Sequence, residues 1–125
     1  MLTTSQSDIY AGHQIRERNL QKVREILHKE QIATVSLLKE KTGLSVVTIN
    51  KLVSELVRKG EVYEGEPSTQ GGGRPATTYC FNANFELILI LSCYRRGGNE
   101  YVGYSVHDLF GECIERREEL LSDTA

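Results

Sequence analysis

The sequence predicts an α+β fold: three helices in one bundle, a β-hairpin behind them, and a small antiparallel β-meander at the end. Three observations predict it. Apolar residues between positions 14 and 59 recur at spacings of three and four, the period of a helix with one buried face. Ser, Thr and Gly punctuate those runs where helices start and stop. Beyond Gly60 the runs are short and separated by turn-forming residues, as in a sheet. The 125 residues suffice for one domain with a proper core, or for a small domain with an appendage.

Residues 1–12 are polar and small, without periodicity, and are expected to form a loose arm. The first helix is expected from Gln14 to Lys29, with Leu20, Val23, Ile26 and Leu27 on one stripe. His28 and Lys29 sit near its end, where basic groups favour the helix dipole. A shorter helix follows from Val35 to Thr42, with Thr34 as N-cap and Leu37 and Leu38 facing inward. Gly43 stops it, because glycine adopts positive φ cheaply. The third helix starts at the N-cap Ser45 and runs to Lys59. Ile49, Leu52, Val53, Leu56 and Val57 give the buried-face pattern, and Gly60 ends the helix.

Residues 61–65 read as a short strand and residues 77–81 as its returning partner, joined by a turn-rich loop containing Gly71, Gly72 and Gly73. The result is a hairpin with a long flexible tip. The composition then changes. Phe85–Tyr94 reads as a strand with both faces apolar, Leu87, Leu89 and Leu91 on one side, Ile88 and Ile90 on the other. Residues 95–99 form a turn, 101–107 a strand, 108–111 a turn and 112–120 a last strand, with no helix to cover the meander. Two domains are therefore expected, 13–84 and 85–121.

Composition excludes several classes. Charged residues at 26% and hydrophobic ones at 39% are ordinary for a soluble globular chain. No apolar run approaches the roughly 20 residues needed to span a bilayer. No basic stretch leads into an apolar run at the start, so the chain is expected in the cytoplasm. Cys80, Cys93 and Cys113 form no CxxC pair and are expected as reduced thiols packed like small apolar groups. His13, His28 and His107 lack ligand spacing. The glycine triplet lacks the Lys-Ser/Thr of a phosphate-cradling loop, and no nucleophile–base arrangement can be read. Arg116-Arg117-Glu118-Glu119 reads as a solvated face. No catalytic activity, metal or cofactor is expected. The net charge of −2 is unevenly spread: residues 1–84 hold 11 Lys and Arg against 9 Asp and Glu, whereas 85–125 hold 4 against 8. The front portion is where a basic face can lie.

Helix two, the turn at Gly43 and helix three have the spacing of a helix-turn-helix, and the hairpin supplies a wing. The second helix of such a pair fits the major groove, its first turn toward base edges. The candidates there are Ser45, Val46, Thr48, Asn50 and Lys51. Asn bonds adenine twice, Thr and Val touch a thymine methyl, and Lys reaches guanine or phosphate. Ser36, early in helix two, can hold a phosphate. Gly73 and Arg74 at the wing tip suit a narrow minor groove, whose negative potential favours Arg. A plain three-helix bundle with capping residues and an Arg-containing linker fits the same residues.

Ile15-Arg16-Glu17-Arg18-Asn19, Thr42-Gly43-Leu44-Ser45 with Thr48-Ile49, Gly60-Glu61-Val62-Tyr63-Glu64, and Gly72-Gly73-Arg74-Pro75 together resemble the N-terminal region of the ROK family (repressors, open reading frames, kinases). The resemblance implies operator-DNA binding by a winged domain, a Gly-Arg-Pro piece acting like an AT-hook, and roles for Ser45, Thr48, Asn50, Lys51 and Arg74. It implies a repressor of sugar metabolism genes. Where many members enter helix two with Ser-Arg, this chain has Thr34-Val35, so one phosphate contact is missing. Residues 85–121, and Val106-His107-Asp108-Leu109-Phe110-Gly111-Glu112 above all, resemble the opening strands of the family's sugar-binding, actin-like domain. The Asp-Gly phosphate loop, the cysteine-rich zinc motif and the catalytic Asp are absent. A sugar effector is implied only if a further domain exists.

The expected partner is double-stranded DNA, bound by a homodimer, with no membrane association. One winged domain makes a small interface, and the strand at 85–94 has two apolar faces to cover. Two alternatives stay open: a winged-helix module for protein contact, and a remnant of a ROK sugar kinase.

Overall fold

The structure, a computed structural model, describes residues 5–70 and 72–121. It is an α+β fold of three helices and two three-stranded antiparallel sheets. The chain divides into two compact units between Phe81 and Asn82.

In the first unit, α1 spans Gln6–Glu30, so the loose arm expected over residues 1–12 is helical from Gln6 onward. Residues 1–4 of that arm lie outside the described residues. The cause is a capping box. The Ser5 hydroxyl accepts from the Asp8 N–H at 3.3 Å, and the Asp8 carboxylate accepts from the Ser5 N–H at 3.3 Å. Periodicity gives no hint of this segment because it buries nothing; the first buried residue of α1 is Leu20. Gln31, with φ 68°, ends the helix and turns the chain into β1 (Ile32–Thr34), a strand not expected from the sequence.

The next two helices follow the expected limits. α2 spans Val35–Thr42, with the Thr34 hydroxyl accepting from the Leu37 N–H. α3 spans Val46–Lys59, with Ser45 as N-cap and a left-handed Gly60 as C-cap. Leu20, Val23 and Leu27 of α1, Leu38 of α2, and Ile49, Leu52, Val53 and Leu56 of α3 form the core. Leu37, Ile26 and Val57 are only half-buried.

β2 (Val62–Glu64) and β3 (Thr78–Phe81) pair antiparallel, and β1 joins the other edge of β3, giving the order β1-β3-β2. Val62, Ala33, Cys80 and Phe81 are buried with the helices. The wing is closed further out than expected, by two hydrogen bonds of 2.8 and 2.9 Å between Ser68 and Ala76. Arg24 of α1 clasps Glu61 at the base of the wing, Nε–Oε2 2.7 Å and Nη2–Oε1 3.2 Å. That two-pronged bond raises the Arg24 pKa further. Glu61 is buried, so Arg24→Ala leaves its carboxylate without this partner. The expected loss is about 1–3 kcal/mol of stability, measured by urea denaturation; an unchanged midpoint would refute a role for the clasp.

The second unit is a meander of β4 (Ile88–Arg96), β5 (Asn99–His107) and β6 (Cys113–Leu120) in that order. The first strand starts and ends later than expected. An Asx turn at Asn82 occupies the approach, its Oδ1 accepting from the Asn84 N–H. At the far end Gly97 and Gly98, at φ 58° and 82°, make a two-residue hairpin turn. Arg95 and Arg96 therefore belong to the strand and not to the turn. Arg95 pairs with Glu100 across the hairpin. Arg96 lies over Tyr94 and Tyr101, whose rings stack at 5.4 Å. Asp108 organises the second turn, its Oδ1 accepting from the N–H groups of Phe110 and Glu112. Cys80 is packed inside, whereas Cys93 on β4 and Cys113 on β6 are exposed and do not pack like apolar groups as expected.

Candidate nucleic-acid interface

α2 and α3 are separated by the three residues Gly43, Leu44 and Ser45. Gly43 sits at φ 71°, and its N–H bonds the Lys39 carbonyl at 2.8 Å, ending α2. Thr42 ties the turn, its Oγ1 donating to the Leu38 carbonyl and accepting from the Leu44 N–H. The turn is thus fixed by short local bonds, and α3 leaves it in a defined direction.

The buried stripe of α3 is Ile49, Leu52, Val53 and Leu56. At about 100° per residue, the opposite face is centred on Val47 and carries Asn50, Lys51, Ser54 and Arg58. All five are exposed. Val47 is 65% exposed and Val46, on the flank, 43%. Asn50 and Lys51 therefore lie outward, as expected. Thr48 is half-buried on the other flank. The hydroxyls of Ser45 and Thr48 are bonded to each other: Ser45 Oγ accepts from the Thr48 N–H at 3.2 Å and donates to Thr48 Oγ1 at 2.9 Å. Ser36 is exposed in the first turn of α2. Gly73 and Arg74 are exposed in the wing loop; Gly71 of the glycine triplet lies outside the described residues.

Sequence reasoning missed Val47, Ser54 and Arg58. The signal was available: these positions are the ones diametrically opposite the Ile49–Leu56 stripe. A reading centred on the N-terminal part of the helix took Val46 in place of Val47 and stopped short of Ser54 and Arg58.

Arg16 and Lys59 both pair with Glu55 and hold its carboxyl below the usual range, Arg16 contributing most. Arg24 is committed to Glu61, and Lys41 lies 3.8 Å from Glu30. Lys51, Arg58 and Arg74 have no acidic partner within salt-bridge distance among the described residues. Arg18, Lys22, Lys29, Lys39 and Arg116 are likewise without one, so Lys51, Arg58 and Arg74 belong to a larger set of unpaired cations among the described residues. Among the described residues no group of three or more His, Cys, Asp or Glu is placed to hold a metal, and no helix is long and apolar enough to cross a membrane.

No protein-family model matches the chain, and no curated protein matches it. Among solved structures, the fold is similar to the crystal structure of a ROK family transcriptional regulator described as a homolog of the E. coli MLC protein. The TM-score is 0.56 at 21% sequence identity, over 86% of this chain. The chain spans 26% of the length of that protein. The two share a fold.

Proposed function

We propose that this chain is a sequence-specific, double-stranded-DNA-binding transcriptional regulator of the ROK type, acting as a homodimer. The outer face of α3 lies in the major groove, and Gly73 and Arg74 of the wing enter an adjacent minor groove. The observation that carries this reading is the outer face of α3 itself: an exposed strip of Val47, Asn50, Lys51, Ser54 and Arg58 behind a capped helix start, with its cations unpaired. Asn50 suits adenine, Val47 a thymine methyl, and Lys51 a guanine edge or phosphate. Ser36 and Arg58 serve the backbone on either side. The likeness of fold to a transcriptional regulator supports the same reading. So does the sequence resemblance to ROK repressors, which points to repression of sugar metabolism genes.

The test is selection from a pool of random duplexes. The wild-type chain is expected to enrich a defined site. Asn50→Ala is expected to relax preference at one position by roughly 1–3 kcal/mol while retaining the rest. Equal losses on every sequence would contradict base reading by Asn50. No enrichment by the wild-type chain would favour a protein-contact module instead.

A further inference from the structure

The first turn of α3 is apolar where it faces outward. Val46 and Val47 are both exposed there, and the Ser45 and Thr48 hydroxyls beside them are bonded to each other. The helix itself has no use for two exposed valines, because branching at Cβ lowers helix propensity. Their surroundings indicate what meets them. Asn50 and Lys51 follow on the same side, and Arg58 extends it. The sole acidic residue of α3, Glu55, lies about 80° round the helix from Val47, where it pairs with Arg16 and Lys59. An apolar spot beside an amide and two cations, with no carboxylate among them, fits a polyanion that carries a small apolar group. The major groove offers such a group in the methyl on C5 of a pyrimidine.

We propose that α3 reads the pyrimidine 5-methyl group itself, through Val47 with Val46 beside it, so that 5-methylcytosine is accepted where thymine is preferred. The proposal rests on the DNA-binding reading and names the chemical group that the first turn of α3 takes. Thymine and 5-methylcytosine carry this methyl at the same place in the groove, and uracil and cytosine lack it. The two methylated bases differ at C4, an acceptor in thymine and a donor in cytosine. A valine side chain has no polar atom with which to tell them apart, so the methyl is what it can sense. Val47 and Asn50 are three residues apart, about 4.5 Å along the helix axis. Base pairs lie about 3.4 Å apart along the duplex. The methyl therefore sits on the base pair next to the one whose adenine Asn50 bonds.

The test titrates the full chain with the duplex it selects, followed by fluorescence anisotropy. Each thymine of the site is replaced in turn by deoxyuridine, which removes only the methyl. At one thymine, beside the position that Asn50→Ala relaxes, affinity is expected to fall about fourfold, as for one buried methyl. A cytosine–guanine pair placed there is expected to gain about fourfold when its cytosine is methylated at C5. Val47→Ser is expected to bind both members of each pair of duplexes alike, with a circular-dichroism melt like that of the wild type. The replacements in the DNA probe the wild-type protein, so they hold whatever the stability of the variant. A wild-type chain indifferent to deoxyuridine at every thymine overturns the proposal and leaves DNA binding by α3 standing. So does a methylated cytosine bound no tighter than an unmethylated one. A methyl effect that persists in Val47→Ser overturns it too, since such an effect comes from the shape of the duplex and not from contact. A wild-type chain that selects no duplex removes the DNA-binding reading, and this proposal with it.

Discussion

Val47→Glu is expected to cost about a hundredfold in duplex affinity, or roughly 3 kcal/mol, while leaving the fold intact. Val47 is the centre of the outward face of α3 and has little packing to lose at 65% exposure. A carboxylate there would stand against a polyanion, where like charge costs several kcal/mol once water is excluded. Its effect should exceed that of Asn50→Ala, because it opposes binding to every sequence. The check is a fluorescence-anisotropy titration beside a circular-dichroism melt. Unchanged affinity with an unchanged melt would move the interface off this face of α3.

Leu56→Ala is expected to show the opposite pattern, losing about 2–5 kcal/mol of stability. Leu56 is fully buried, and its carbonyl also receives the N–H of Gly60 and of Glu61, where α3 ends and the wing begins. Removing the side chain opens a cavity beneath the helix that presents the strip. Domains of this size have about 5–15 kcal/mol in total, so the variant should unfold at a distinctly lower urea concentration. A midpoint within the error of the wild type would contradict the core described above.

These two substitutions mark what was legible in the sequence. The limits of α2 and α3 were, because Thr34, Gly43, Ser45 and Gly60 are local caps that act through their own backbone neighbours. The core stripe of α3 was, because period and burial coincide there. The N-terminal half of α1 was not, since a helix that buries nothing shows no period; its one clue was the Ser5/Asp8 box. β1 was not, because a three-residue strand is set by its pairing with β3, as Ile32 opposite Cys80 shows, and by the positive φ of Gln31. In the meander the tight Gly97-Gly98 turn decides the strand ends, while the adjacent arginines had suggested a longer loop. In the candidate interface, Asn50 and Lys51 were legible as polar residues off the core stripe. Val47 was legible too, as the position opposite that stripe, but its neighbour Val46 was read as the outward valine instead. The cap at Ser45 was legible, but the further bond of its hydroxyl to Thr48 Oγ1 was not, because a side-chain pairing needs coordinates.

The central claim is that α3 and the wing form a surface for duplex DNA. The most direct measurement is a titration of the full chain with duplex DNA across a series of salt concentrations. Tight association at low salt is expected, with the logarithm of the binding constant falling linearly against that of salt, at a slope of about −0.9 per phosphate neutralised. No association with any duplex at low ionic strength, or association indifferent to salt, would contradict the claim.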